Sequence, residues 1–185
     1  MHLANHLVSL HSIAAHIAFM NVARMVYRQP AIEFVLLVCV IFQCGSGLWM
    51  VVRGWSAMQG AVAWLQALSG SYLAVFLLIH VGAVVLGRIV LHLDTNFYFA
   101  AAGFHVPPFQ MVFVPYYLLA VVALFTHAGC TCYWSLGGRA LGLRRMALSV
   151  MVVTGCILGV AIDLSLAGMV QPVTVPATYL AAFRR

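Results

Sequence analysis

The chain has 185 residues, of which 65% are hydrophobic and 6% are charged, and all of its basic residues are arginines. A soluble domain carries about a quarter of its residues as charged groups, so this composition excludes an ordinary soluble globular protein. The formal net charge of +6 comes from arginines near the ends of apolar segments, where they meet lipid headgroups. It does not indicate nucleic-acid binding, which would cluster them on one face.

Residues 1–29 form the first element, an apolar segment that polar residues interrupt. It either spans the bilayer as a short fifth helix or lies in the interface with a partial polar stripe. The segment lacks a basic leader and a clear cleavage motif, so we do not interpret it as a removable signal peptide. Pro30 predicts a sharp break after it, because proline disfavours helical geometry in the preceding residue.

Four continuous apolar segments follow, each long enough to cross a hydrocarbon core of about 30 Å. They predict transmembrane helices over residues 32–53, 62–91, 110–133 and 144–169. Unpaired backbone groups are costly in lipid, so these segments are expected to be helices and not strands. The predicted fold class is therefore all-α, a polytopic transmembrane bundle of four to five helices in a single domain.

The connecting segments are predicted with less detail. Residues 91–109 are half apolar and aromatic and are expected to lie on the bundle or in the interface, whereas residues 171–185 are expected to form a surface extension. The arginines are nearly balanced between the two sides of the bundle, so their count does not fix its orientation in the membrane.

His80 and His127 are the first candidates for chemistry, because each is an ionisable ring inside an apolar span. Such residues are rare and usually functional. Haem is the cofactor that this environment favours, since glycines near both histidines would let a flat macrocycle approach the backbone. The alternative interpretation is that each imidazole hydrogen-bonds a neighbouring helix.

Three further groups are weaker candidates. The pattern His-x-x-Cys-x-Cys at residues 127–132 would suggest a zinc or copper site, but its spacing matches no strong metal motif. The histidines of the first segment are more typical of interfacial polar groups than of metal ligands. Asp163 is an acid deep in a span, where it either handles a proton or pairs with an arginine or serine.

From Trp64 onward the sequence resembles the cytochrome b membrane anchor of succinate dehydrogenases and fumarate reductases, in its single-chain form with five helices and two haems. The family pattern opens a helix with glutamine and a Ser/Thr-Gly pair, and a haem-ligating histidine follows ten residues later. A second ligand near a glycine ends the next family helix. The matching residues are Gln66, Ser69, Gly70, Asn96, Phe97, His80, His127 and Gly129.

The first half of the chain matches the family less closely. Leu10, His11 and Ser12 correspond to the start of the first family helix, but no histidine stands near Val26, where that helix carries a ligand. Gln43 occupies a second ligand position, and glutamine is a poor ligand for iron. In the two-haem family, the residues that match His80 and His127 bind different haems.

Three outcomes for haem follow from this resemblance. His80 and His127 would bridge one haem, or substitute ligands such as His11 or His16 would complete one or two haems, or no haem would bind. Among the candidates, His127 is the expected first ligand and His80 the next, because His127 keeps both the family histidine and its glycine.

The resemblance implies a non-catalytic redox subunit that passes electrons from an iron-sulfur partner towards a quinone. Haem b and quinone would be its cofactors, and iron-sulfur and flavoprotein subunits its partners. The sequence has no dinucleotide fingerprint and no cysteines spaced for a cluster, so partners would hold those groups. Its membrane would be a bacterial cytoplasmic or mitochondrial inner membrane. The alternatives are a haem-free scaffold in a larger membrane complex and a stand-alone haem protein.

Overall fold

The computed structural model describes residues 2–183, and no β-strand occurs among them. The helices, in chain order, are α1 (His2–Val8), α2 (Ile13–Tyr27), α3 (Pro30–Gly54), α4 (Ala61–Ile89), α5 (Phe97–Ala101), α6 (Gln110–Ser135), α7 (Leu141–Leu166) and α8 (Ala177–Ala181). Four of them, α3, α4, α6 and α7, are long and apolar enough to cross a membrane. The predicted all-α transmembrane bundle is confirmed, and the four helices begin and end within a few residues of the predicted bounds.

The long helices pack in chain order, α3 against α4, α4 against α6 and α6 against α7. The α6–α7 contact is the most extensive, and glycines make it close. An ideal Cβ at Gly155 would lie 2.7 Å from Phe125 Cβ, and one at Gly159 would lie 2.9 Å from Leu118 Cδ1. Small residues therefore let these two helices approach closely where no hydrophobic effect drives them together.

The first segment is not one helix but two, which corrects the single terminal helix expected for residues 1–29. Ser12 ends the connection between α1 and α2 because its side chain accepts a hydrogen bond from the backbone N–H of Ala15 at 3.3 Å. Helix α2 has 15 residues, fewer than the roughly 20 needed to cross a bilayer. The predicted break before Pro30 and the packing of α2 against α3 are both confirmed.

The link between α4 and α6 packs against α7. Phe97, Ala101 and Phe104 from the link between α4 and α6 form a buried cluster with Ile162 and Leu166 of α7. The prediction that this link lies on the bundle is confirmed.

The described part of the C-terminal tail lies on the surface of the bundle and docks there. Helix α8 buries Tyr179, and Phe183 packs its ring against Phe109 and Phe113 with centroids 5.0 and 5.6 Å apart. Aromatic side chains in the tail give it enough apolar surface to dock on the bundle.

We predict that Gly155→Leu destabilises the bundle by about 1–3 kcal/mol, because overpacking a close helix contact forces the neighbouring side chains out of their rotamers. Thermal unfolding in detergent, followed by circular dichroism, measures the loss. Gly142→Leu is the matched control, since Gly142 lies in the same helix and a Cβ there meets no atom within 4 Å. Equal unfolding temperatures for the two variants would contradict the proposed close packing.

Candidate functional site

A cavity of about 610 Å³ lies between α1, α2, α3, α4 and the link, and four histidines line it. These are His2 and His6 of α1, His16 of α2 and His80 of α4. Their ring centroids lie 4.9 Å apart for His2 and His6, 5.8 Å for His2 and His80, and 5.4 Å for His6 and His16. We call this space the histidine cavity.

The local fold explains how these rings meet. His2 and His6 are four residues apart in one helix, so they share a face. Helix α1 folds back so that this face meets His80, and α2 brings His16 beside His6. Asn5 holds the His16 ring in place, since Nδ2 of Asn5 lies 3.1 Å from Nε2 of His16. Three separate helices thus converge on one wall of the cavity.

The histidine rings are only partly satisfied by hydrogen bonds. Nδ1 of His6 and Nδ1 of His16 are buried and have no hydrogen-bond partner among residues 2–183. Buried polar atoms are normally paired, because leaving one without a partner costs free energy. These two nitrogens are therefore left unpaired by the described part of the chain.

Charged residues line the same cavity near the ends of α2 and α4. Arg88 of α4 forms a bidentate ion pair with Glu33 of α3, in which the longer of the two contacts is 3.3 Å. Arg28 donates from Nη2 to Thr95 Oγ1 at 3.1 Å, whereas its Nε has no partner among the described residues. Burial, together with the neighbouring charges of Arg24 and Arg88, lowers the pKa of Arg28. An anionic group would be stabilised here.

His127 occupies a different environment. Its Nδ1 lies 3.1 Å from the backbone oxygen of Gln66, so that nitrogen must carry the proton and donate it. Its ring packs on Gly70, where a Cβ would come within 2.9 Å of Cε1. His127 lines neither the histidine cavity nor the second cavity described below.

The structure separates the two histidines that the sequence singled out. His127 packs beside Gly70 of α4, and His80 lies ten residues further along the same helix, which corresponds to about 15 Å at 1.5 Å per residue. Two imidazoles on one iron must approach it from opposite sides at bonding distance. His80 and His127 therefore do not share an iron in this arrangement.

The remaining predicted site residues also lie in different places. His16 lines the histidine cavity with His80, whereas His11 is exposed in the connection between α1 and α2. Gln43 is exposed on α3 and lines neither cavity. Of the five predicted site residues, only His16 and His80 are brought to one place.

Residues 2–183 contain no group of three or more His, Cys, Asp or Glu side chains arranged to hold a metal ion. The pattern at residues 127–132 is split, since Cys130 is buried and Cys132 is exposed. Asp163 is buried, and neither of its carboxylate oxygens has a partner among the described residues. The predicted pairing of this acid with an arginine or serine is therefore not found there.

A second cavity, of about 380 Å³, lies on the other side of His80. Aromatic side chains dominate its wall and come from α5, α6 and the tail: Phe99, Phe113, Tyr116, Tyr117, Tyr179 and Phe183. His80 and Tyr117 line both cavities, with ring centroids 6.1 Å apart. Phe99 also lines both cavities, so the two spaces share an imidazole, a phenol and a phenyl ring as a common wall.

Sequence reasoning missed His2, His6, Arg28 and Glu33 as parts of the site. The spacing of His2 and His6 was a usable signal, because residues four apart share a helix face. Nothing in the sequence showed that α1 would fold back onto α4. Comparisons with protein-family models, with curated proteins and with solved structures found no match to this chain.

We predict that Glu33→Gln destabilises the protein by about 2 kcal/mol, because it leaves the Arg88 charge without its partner inside a spanning helix. The double variant Glu33→Gln, Arg88→Gln should recover part of the loss, since it removes both charges. A double-mutant cycle on unfolding in detergent measures the coupling. If the effects of the two substitutions on the free energy of unfolding are additive, the Glu33–Arg88 pair contributes no coupling energy to stability.

Proposed function

We propose that this chain is a cytochrome b-like membrane-anchor subunit that binds haem in the histidine cavity and passes electrons between an iron-sulfur partner and a quinone. One observation carries the proposal: three helices bring four histidines to the wall of a single cavity inside a transmembrane bundle. The complex would be of the succinate:quinone oxidoreductase or fumarate reductase type, as the resemblance of α4 and α6 implies.

The residues of the cavity fit a haem in three respects. Imidazole nitrogens of His6 and His16 are buried without partners, and imidazole is a usual axial ligand of haem iron. Apolar side chains of α3 and α4 line the remaining walls, which suits the macrocycle. Arg28 also lines the cavity with its Nε unpaired, and its charge would neutralise a propionate.

Within this site, His80 and His16 would hold the haem iron, since they line the same cavity from two different helices and both were candidates in the sequence. Bound haem would supply one-electron transfer. His6, which contacts His16, would restrict the orientation of that ring, and Asn5 would hold it through its Nε2. Leu36, Leu77 and Val81 would exclude water from the site.

The second cavity is the proposed quinone site. Its aromatic walls suit a flat, apolar ring, and the hydroxyl of Tyr117 or the imidazole of His80 would bond a quinone carbonyl. The shared wall would place this site beside the haem. Iron-sulfur and flavoprotein subunits are the proposed partners, and the membrane is a bacterial cytoplasmic or mitochondrial inner membrane.

One observation favours a second candidate, the haem-free scaffold. The histidine rings contact one another directly, and His127 satisfies its Nδ1 within the bundle. Packed in this way, the imidazoles would join α1 and α2 to the long helices, and the chain would serve as a helical framework in a larger membrane complex.

Reduced-minus-oxidised spectra of the purified chain separate the two candidates. We expect a b-type spectrum, and His80→Ala and His16→Ala should each lose at least about 90% of the haem, because removing one of two axial ligands leaves the iron weakly held. Haem is quantified per chain after purification in detergent.

His11→Ala and His127→Ala are the controls for these variants. His11 is exposed and His127 lines neither cavity, so both should keep the full haem content and an unchanged spectrum. If His127→Ala loses haem while His80→Ala and His16→Ala retain it, His127 is the haem ligand, as the sequence predicted. Absence of haem from the unsubstituted chain would support the scaffold.

A further inference from the structure

Asp163 is a buried acid that lies outside both cavities. It stands in the last turn of α7, three residues before the helix ends at Leu166. Its exposed fraction is 8%, and both carboxylate oxygens are buried without a hydrogen-bond partner among residues 2–183. No residue of α7 lines the histidine cavity or the second cavity, so the proposed haem and quinone sites leave this group unexplained.

The chain has three acidic residues, and the other two each pair with an arginine. Glu33 pairs with Arg88, and Asp94 accepts from Nη1 of Arg24 at 2.8 Å. Asp163 forms no ion pair with any residue in the range 2–183. It is therefore the one acid that the described part of the chain leaves without a cation.

The long helix packed against α7 supplies no positive charge to this acid. Helix α6 contains no arginine or lysine. A Cβ at Gly159 would lie 2.9 Å from Leu118 Cδ1 of α6. The two helices are consecutive and antiparallel, so Asp163, one turn further along α7, lies opposite the α6 turn over residues 114–117. The titratable side chains of that turn are two tyrosines, and a phenol is either neutral or negative.

The shorter elements packed against α7 supply no positive charge to this acid either. On α1, His2 and His6 line the histidine cavity, which no residue of α7 lines. Tyr98 is the titratable residue of α5, and its phenol is neutral or negative. His105, which follows α5, donates from Nε2 to the backbone oxygen of Leu166 at 3.0 Å and not to the carboxylate.

An ionised carboxylate is unfavourable in this position for two reasons. A buried charge without a partner loses its hydration without compensation. The last turn of a helix also carries the negative end of the helix dipole, which repels an anion. Arg145, the nearest arginine along α7, is about 27 Å away along the axis and offsets neither cost. A protonated carboxyl group is neutral and avoids both.

We propose that Asp163 is a proton-binding site, in which the carboxyl group of the folded chain holds a proton at neutral pH. The carboxylate takes one proton from water and forms one O–H bond, so the buried group carries no charge. This inference goes beyond the proposed function and depends on neither haem nor quinone.

Infrared spectroscopy of the full chain in detergent measures this proton directly, because a protonated carboxyl group and a carboxylate absorb at different frequencies. The chain contains two aspartates, Asp94 and Asp163. Cell-free synthesis with aspartate that carries carbon-13 in its side-chain carboxyl group shifts the bands of these two residues alone. An exposed aspartate ionises at about pH 4. At neutral pH we therefore expect one carboxylate band from Asp94 and one protonated-carboxyl band from Asp163.

Two single variants assign the bands. Asp163→Asn should lose the protonated-carboxyl band completely, because the amide that replaces the acid carries no label. Asp94→Asn is the matched control, which should keep that band and lose the carboxylate band. Circular dichroism establishes that the helices of each variant are intact.

Two carboxylate bands in the unsubstituted chain, or a protonated-carboxyl band that persists in Asp163→Asn, would overturn the proposal. If Asp163→Asn does not fold, Asp94→Asn still decides, since Asp163 is then the one aspartate in the chain. A carboxylate band from that variant would overturn the proposal, and a protonated-carboxyl band would support it.

Discussion

A buried polar side chain without a partner costs free energy, because neither lipid nor an apolar bundle supplies a hydrogen bond. This constraint shapes the described part of the chain. The Ser9 hydroxyl lies 2.8 Å from the hydroxyl of Ser165 and so joins the start of the chain to α7. His16 finds Asn5, and Glu33 finds Arg88. The first contact holds the start of the chain against a long helix, the second joins α1 to α2, and the third joins α3 to α4. The histidine cavity lies between these helices.

The spanning helices could be predicted from the sequence because their signal is local. A continuous apolar run of sufficient length leaves a helix as the available structure in a bilayer. The break before Pro30 was equally local, since it follows from the geometry of one residue. The division into α1 and α2 was missed because the capping by Ser12 competes with an apolar pattern that runs on past it.

The site could be predicted only in part, since its assembly depends on long-range packing. His80 was a candidate in the sequence because an imidazole in an apolar span is unusual by itself, and it lines the histidine cavity. The depth of His127 relative to His80 depends on how α6 is offset along α4, and no single segment encodes that offset. In the sequence, His2 and His6 have the pattern of interfacial polar groups. Only the fold of α1 brings the His2 ring beside His80 of α4.

The proposed function depends on two adjacent cavities, one for haem and one for quinone. One is rich in imidazoles and arginines, the other in phenols and phenyl rings, and His80 and Tyr117 stand between them. The side chains of this shared wall would separate a redox group in the first cavity from a ring in the second. The resemblance in α4, which includes His80, supports the same proposal, whereas the family histidine on α6, His127, lines neither cavity.

Electron paramagnetic resonance of the oxidised, purified chain tests the central claim most directly, because it reports the iron and its axial ligands together. We expect a low-spin ferric haem signal typical of two imidazole ligands, at close to one haem per chain. A chain with no ferric haem signal, or with a high-spin signal that additional imidazole does not change, would contradict it.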